Sequence, residues 1–127
     1  MAAQKTILII DDDKDLVQGL QTVLESRGYR VVTALDGSAG LSAAAVENPD
    51  LVLVDMMMPK KSGFLVLEGL KSKDAASPKV VMITANDGAR HRAYAEMLGV
   101  DDYLRKPFAM DKLMESVQRL CPQPADG

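Results

Sequence analysis

The sequence predicts an α/β domain built on a doubly wound parallel sheet, with strand order 2-1-3-4-5 and helices on both faces. Three observations predict it. Strand-like and helix-like segments alternate strictly, five times over, which implies parallel strands joined by right-handed crossovers. The strand segments are apolar at every position rather than alternately, as in a sheet covered on both faces. Polar, chemically capable residues follow the strands directly, where an open α/β sheet binds its ligands.

The elements follow in order. Residues 6–10 (Thr-Ile-Leu-Ile-Ile) are β-branched and apolar, the first strand. Leu16, Val17, Leu20, Val23 and Leu24 then recur at helical spacing, with Gly28 placed as a C-terminal cap. Asp13 is the N-cap of that helix. Tyr29–Ala34 is the second strand. Asp36 or Ser38 caps a helix carrying Leu41, Ala44, Ala45 and Val46, which Asn48-Pro49 stops. Leu51–Val54 is the third strand, and Met56–Ser62 a loop. Ser62 caps a helix through Phe64, Leu67 and Leu70. Val80–Ile83 is the fourth strand. A fourth helix lies within Ala89–Leu98 and ends at Gly99. Asp102–Leu104 is a short fifth strand, and Met110–Leu120 the last helix. Residues 1–121 form the domain; 122–127, with two prolines and a terminal glycine, read as a tail or a truncated linker.

The chain's 127 residues suit one domain. Apolar residues at 47% and charged residues at 26% exclude a disordered chain. A net charge of −3 is unsuited to holding a phosphate backbone, so direct nucleic-acid binding is not expected. Cys121 is the only cysteine, which excludes an internal disulfide and a multi-cysteine metal site. The longest apolar runs, four residues each, are far short of a membrane span. The composition reads as that of a soluble protein of a reducing compartment, with no membrane partner.

The chemistry lies at the strand ends. The first strand ends in Asp11-Asp12-Asp13, the third in Asp55, the fourth in Thr84; Lys106-Pro107 follows the fifth. With order 2-1-3-4-5, the strand order reverses between strands one and three, so Asp11, Asp12 and Asp55 converge there. Taken singly, each aspartate is a turn residue or a cap, Thr84 a strand end and Lys106 a solvated lysine. Four strands delivering reactive groups to one edge argue for a site. Clustered carboxylates repel, and a hard divalent cation resolves the repulsion: Mg²⁺, with Mn²⁺ a substitute. The cation, Lys106 and the Thr84 hydroxyl suit phosphoryl oxygens. A carboxylate can accept the phosphoryl group as an aspartyl phosphate, and Asp55, alone at the end of the central strand, is the candidate nucleophile.

These residues carry a resemblance. The acidic cluster Ile9-Ile10-Asp11-Asp12-Asp13, the segment Asp55-Met56-Met57-Met58-Pro59 with Gly63, Ile83-Thr84-Ala85, and Asp101–Phe108 together resemble the receiver domain of two-component response regulators. The resemblance covers about residues 5–120 and implies a flavodoxin-like fold. It implies that Asp55 is phosphorylated by a sensor histidine kinase or histidine phosphotransfer protein. Asp12, Asp55 and the backbone carbonyl of Met57 would bind Mg²⁺ directly, and Asp11 through a water. Lys106 would pair with the phosphoryl group and Thr84 would hydrogen-bond it. The peptide before Pro107 would be cis, and Pro59 and Gly63 would shape the loop at the site. Met57 and Asn86 hold positions that in relatives influence how fast the phosphate is lost. Self-phosphorylation with Mg²⁺ and slow self-dephosphorylation would be the only catalysis.

The resemblance further implies a cytoplasmic signalling role. Thr84 would move toward the phosphoryl group, Tyr103 would bury its ring beneath the fourth helix, and the face made by helix four, strand five and helix five would signal to a downstream protein or output domain. A phosphorylation-dependent dimer is compatible with that face. His91 reads as a surface histidine, Met56–Met58 as loop packing, and Cys121 as part of a frayed end. Flavodoxin and dinucleotide-binding readings fail for want of a phosphate loop or Gly-x-Gly-x-x-Gly after strand one. A haloacid-dehalogenase-type phosphatase needs an Asp where Met57 stands. The alternative of a different class is a receiver-like protein-binding module that is not phosphorylated; it would lack an acid, the Thr or the Lys, and none is missing.

Overall fold

Strands whose side chains are apolar on both sides must be covered on both sides, and this requirement organises the domain. The computed structural model describes residues 4–58, 61–71, 77–85 and 88–123. Its elements are β1 (Thr6–Ile10), α1 (Lys14–Ser26), β2 (Arg30–Ala34), α2 (Gly37–Glu47), β3 (Leu51–Asp55), α3 (Gly63–Lys71), β4 (Lys79–Thr84), α4 (Ala89–Met97), β5 (Asp102–Arg105) and α5 (Met110–Leu120). The five strands are parallel in the order β2-β1-β3-β4-β5. This is the predicted flavodoxin-like doubly wound arrangement. None of the described helices is long and apolar enough to cross a membrane.

Alternate strand residues feed two cores. Ile7, Ile9, Leu53, Val81 and Ile83 pack against Val17, Leu20 and Leu24 of α1 and Leu113, Met114 and Val117 of α5. On the other face, Leu8, Ile10, Val52, Val54, Val80 and Met82 pack against Val66, Leu67 and Leu70 of α3 and Ala95 of α4, with Leu41 of α2 partly buried beside them. Tight approach explains Gly40: a Cβ there would lie 2.5 Å from Cδ1 of Ile10, so α2 packs its backbone onto β1.

The caps follow the local chemistry. Asp13 accepts from the Leu16 N–H at 3.1 Å, and Asp36, rather than Ser38, accepts from the Ala39 N–H at 2.8 Å. The Ser62 hydroxyl accepts a longer bond, 3.4 Å, from the Leu65 N–H. Asn48 takes a left-handed conformation (φ 47°) after α2, and Gly28 has φ 92° after α1.

Three readings are corrected. Tyr29 belongs to the turn, its N–H bonded to the Leu24 carbonyl at 3.1 Å, so β2 begins at Arg30. Cys121 is not frayed: it is 2% exposed, caps α5 and joins the α1/α5 core, while its carbonyl accepts the Tyr29 hydroxyl at 2.6 Å. His91 is half-buried and meets the Phe64 ring edge-on, at 5.9 Å between centroids. The expectations for Pro59, for Asn86 and for the last four residues of the tail lie outside the described residues.

The amino ends of the strands are laced together by polar side chains. Asp50 accepts from the Thr6 N–H at 2.9 Å. Asp101 accepts from Lys71 at 2.8 Å and from the Val80 N–H at 2.8 Å, and Lys71 also donates to the Pro78 carbonyl. The opposite edge, at the carboxyl ends, carries a different set of polar groups.

Candidate functional site

At that edge β1 continues straight into its acids: the Asp11 N–H still bonds to the Ala34 carbonyl of β2, at 3.1 Å. Asp11 therefore stays at the sheet end, 2% exposed, and Asp12 stands outside it, exposed. Asp13 turns away to cap α1 while its own N–H donates to Oδ1 of Asp11 at 3.0 Å. Asp55, the last residue of β3, is 5% exposed. Carboxylate oxygens of Asp11, Asp12 and Asp55 lie within 4.8 Å of one another.

Asp55 is fixed by its surroundings. Its Oδ1 accepts from the Met57 N–H at 3.2 Å. Gly63 packs directly on the Asp55 peptide: a Cβ there would overlap the Asp55 carbonyl oxygen and lie 2.7 Å from Cα of Met56. The Gly63 N–H bonds to the Met56 carbonyl at 2.9 Å, closing the loop. Lys106 reaches in from beyond β5. Its Nζ donates to Oδ2 of Asp11 at 2.8 Å and lies 3.7 Å from Oδ2 of Asp55. The Lys106 N–H bonds to the Thr84 carbonyl at 2.7 Å, and the Lys106-Pro107 peptide is cis. Thr84, fully buried, ends β4 next to Asp55's strand.

The electrostatics follow from this crowding. Burial, then the negative charge of Asp11, raise the Asp55 pKa from 3.8 to about 6; Lys106 and the Met57 N–H oppose the rise, and Asp12 adds to it. For Lys106, burial favours the neutral amine, but the bond to Asp11 and the charges of Asp11, Asp55 and Asp13 outweigh it and raise the pKa. The ammonium therefore stays charged. A pocket of three acids facing one lysine retains excess negative charge. Its oxygen-only donors, two of them buried, fit a hard divalent cation.

The structure thus brings the carboxylates of Asp11, Asp12 and Asp55 together with the Lys106 ammonium, and Thr84 adjoins them through its carbonyl, bonded to the Lys106 N–H. Met57 joins through its backbone, with its side chain 60% exposed. The predicted loop packing holds for Met56, which is buried, and for Met58, which is partly buried. Tyr103 lies on β5 beside Met82, 7% exposed, its ring already inside. Two neighbours of that ring were not legible. The Tyr103 hydroxyl meets Sδ of Met56 at 3.8 Å, and the Arg92 guanidinium lies 5.7 Å from the ring centroid.

A profile of the response regulator receiver domain matches residues 7–118. The chain belongs to this family. Among curated relatives of this receiver domain, the alkaline phosphatase synthesis transcriptional regulatory protein PhoP of Bacillus subtilis is 41% identical over 105 residues, 83% of this chain but 43% of the relative. Protein PilG of Pseudomonas aeruginosa is 32% identical, with 91% of this chain aligned to 87% of the relative. The chain spans about half the length of the first curated relatives it matches. Among solved structures, chemotaxis protein CheY4 of Vibrio cholerae superposes with TM-score 0.86 at 26% identity, covering 93% of this chain and 99% of that one. A receiver domain protein of Methanospirillum hungatei gives TM-score 0.86 at 29% identity, over 92% and 93% of the two chains.

Proposed function

We propose that this receiver domain takes a phosphoryl group onto Asp55 from the phosphohistidine of a sensor kinase or phosphotransfer protein. The observation that carries the reading is the convergence of Asp11, Asp12 and Asp55 with Lys106 bridging two of them. With its pKa raised only to about 6, Asp55 remains ionised at neutral pH and available as a nucleophile. An Asp55 oxygen attacks phosphorus, the P–N bond breaks, and its electron pair returns to the imidazole, which regains neutrality by protonation. Lys106 neutralises the charge on the transferring group. The Thr84 hydroxyl accepts its place as hydrogen-bond donor to the phosphoryl oxygens.

Asp12, Asp55 and the Met57 carbonyl would hold Mg²⁺, with Asp11 acting through a water, and Mn²⁺ would substitute. When bound, the ion supplies positive charge to the phosphoryl oxygens. Asp11 fixes Lys106, and the Met57 N–H orients Asp55. Slow hydrolysis of the acyl phosphate resets the domain.

The signal then leaves through α4, β5 and α5. Thr84 and Tyr103 are the responding residues, and the partner is a downstream protein, an output domain or a second phosphorylated copy, in the cytoplasm. Incubation with acetyl phosphate and Mg²⁺, borohydride trapping and mass mapping test the reading. Label is expected on Asp55 alone; label at wild-type level in Asp55→Ala overturns it.

A further inference from the structure

Among its contacts, Tyr103 meets two described residues of other segments, Met56 and Arg92. Its hydroxyl meets the thioether of Met56 at 3.8 Å, and Met56 is 1% exposed. Methionine sulfur is a weak, polarizable acceptor. The opposite grip is Arg92 of α4, whose guanidinium stands 5.7 Å from the ring centroid, within cation–π range. Arg92 is an exposed residue, its other charge partner being Glu96 one turn on, at 3.6 Å.

Met56 is also the residue after Asp55, and its backbone cannot move independently of the site. Its N–H bonds to the Ile83 carbonyl of β4 at 3.0 Å, and its carbonyl accepts from Gly63 at 2.9 Å. Met56 thus joins the Asp55 peptide, through one residue, to the sulfur that touches Tyr103.

We propose that Met56 and Arg92 are positioning residues that clamp Tyr103 inward, and that Met56 couples Asp55 to Tyr103 by a path that does not run through Thr84. The inference rests on the reading of Asp55 as phospho-acceptor and Tyr103 as responding aromatic. The grips are individually weak, which suits a switch: an equilibrium between inward and outward rings shifts only when its two states lie close in free energy. An acidic partner group that draws Arg92 off the ring would loosen the clamp from outside, and a change at Asp55 would loosen or tighten it from inside.

The test labels the three tyrosines with 3-fluorotyrosine and follows ¹⁹F resonances. Tyr103 is assigned by Tyr103→Phe. Met56→Leu keeps bulk and removes the acceptor; Arg92→Gln removes the cation. Each is expected to lower the inward-to-outward ratio of the unphosphorylated protein roughly threefold, moving the Tyr103 resonance toward its solvent-exposed value while Tyr29 stays fixed. Beryllofluoride, a phosphoryl mimic, added to Thr84→Ala is expected to shift Tyr103 still, and to shift it less in Thr84→Ala/Met56→Leu.

Should Met56→Leu not fold, Met56→Ile removes the sulfur at that position alone and is expected to move Tyr103 in the same direction. A Tyr103 resonance unmoved by loss of the sulfur and by Arg92→Gln overturns the clamp. A Thr84→Ala response that is abolished, or unchanged by Met56→Leu, overturns the second path. Asp55 labelling by acetyl phosphate is measured on the same samples: its absence in the wild type refutes the phospho-acceptor reading, whereas normal labelling with an unmoved Tyr103 refutes the clamp alone.

Discussion

Asp55 is held ionised in a place that resists the charge, and replacing it by asparagine exposes the penalty. The carboxylate is 5% exposed, and its pKa is raised from 3.8 to about 6, by burial first and by Asp11 next. In the unfolded chain the group ionises at its ordinary value. Between those two pH values the folded protein binds more protons than the unfolded one, so stability falls as pH rises through the window from about 4 to about 6. The interval, at about 1.4 kcal/mol per pH unit, amounts to about 3 kcal/mol at pH 7.5 and shrinks to about 1 kcal/mol at pH 4.5. Asp55→Asn keeps the size of the side chain and an acceptor for the Met57 N–H. Without divalent cations, its midpoint of urea unfolding is expected to exceed that of the wild type at pH 7.5 by an amount equivalent to about 3 kcal/mol, and the difference is expected to narrow toward pH 4.5. Urea titrations in EDTA at the two pH values measure it. Equal stabilities at pH 7.5, or a difference that widens on acidification, would refute the account of Asp55 as a carboxylate strained by burial and by Asp11.

Three further expectations follow from single contacts. Mg²⁺ at about a hundred times its Kd is expected to stabilise the wild type by about 2.7 kcal/mol, and Asp12→Ala to lose most of that gain, read as a Mg²⁺-dependent shift in Tm. Gly63→Ala is expected to lower stability by about 1–3 kcal/mol, since its Cβ meets the Asp55 and Met56 backbone rather than yielding side chains; an unchanged thermal midpoint would contradict the packing. Tyr29→Phe leaves the buried Cys121 carbonyl without its hydroxyl donor and is expected to cost about 1–2 kcal/mol in urea unfolding, with no effect on Asp55 labelling.

The sheet was readable because its information is local. Ile7–Ile10, Leu51–Val54 and Val80–Ile83 are apolar at every position, and the reactive residues stand one place beyond each run, so order and edge fixed the convergence of Asp11, Asp55 and Thr84. Met110–Leu120 was legible to the residue because its apolar spacing is regular. What escaped depends on where separate elements meet. Cys121 follows the last helix in a proline-bearing stretch, and residues distant in sequence, Tyr29 among them, make it core. His91 sits among polar neighbours in α4, yet the helix's placement over Phe64 half-buries it. Lys106 was placed at the site, but its closer attachment to Asp11 than to Asp55 is set by side-chain reach across the sheet end.

The lacing of Asp50 and Asp101 at the amino ends of the strands has a consequence for how such a domain changes over time. Side-chain bonds to strand-entry backbone gather at one pole and the acidic cluster at the other, a full strand length apart. Substitutions at Lys71, Asp101 or Tyr29 therefore act on stability at a distance from the carboxylates of Asp11, Asp12 and Asp55. The cross-strand bonds and the acidic cluster are thus open to change separately, at opposite ends of the same five strands.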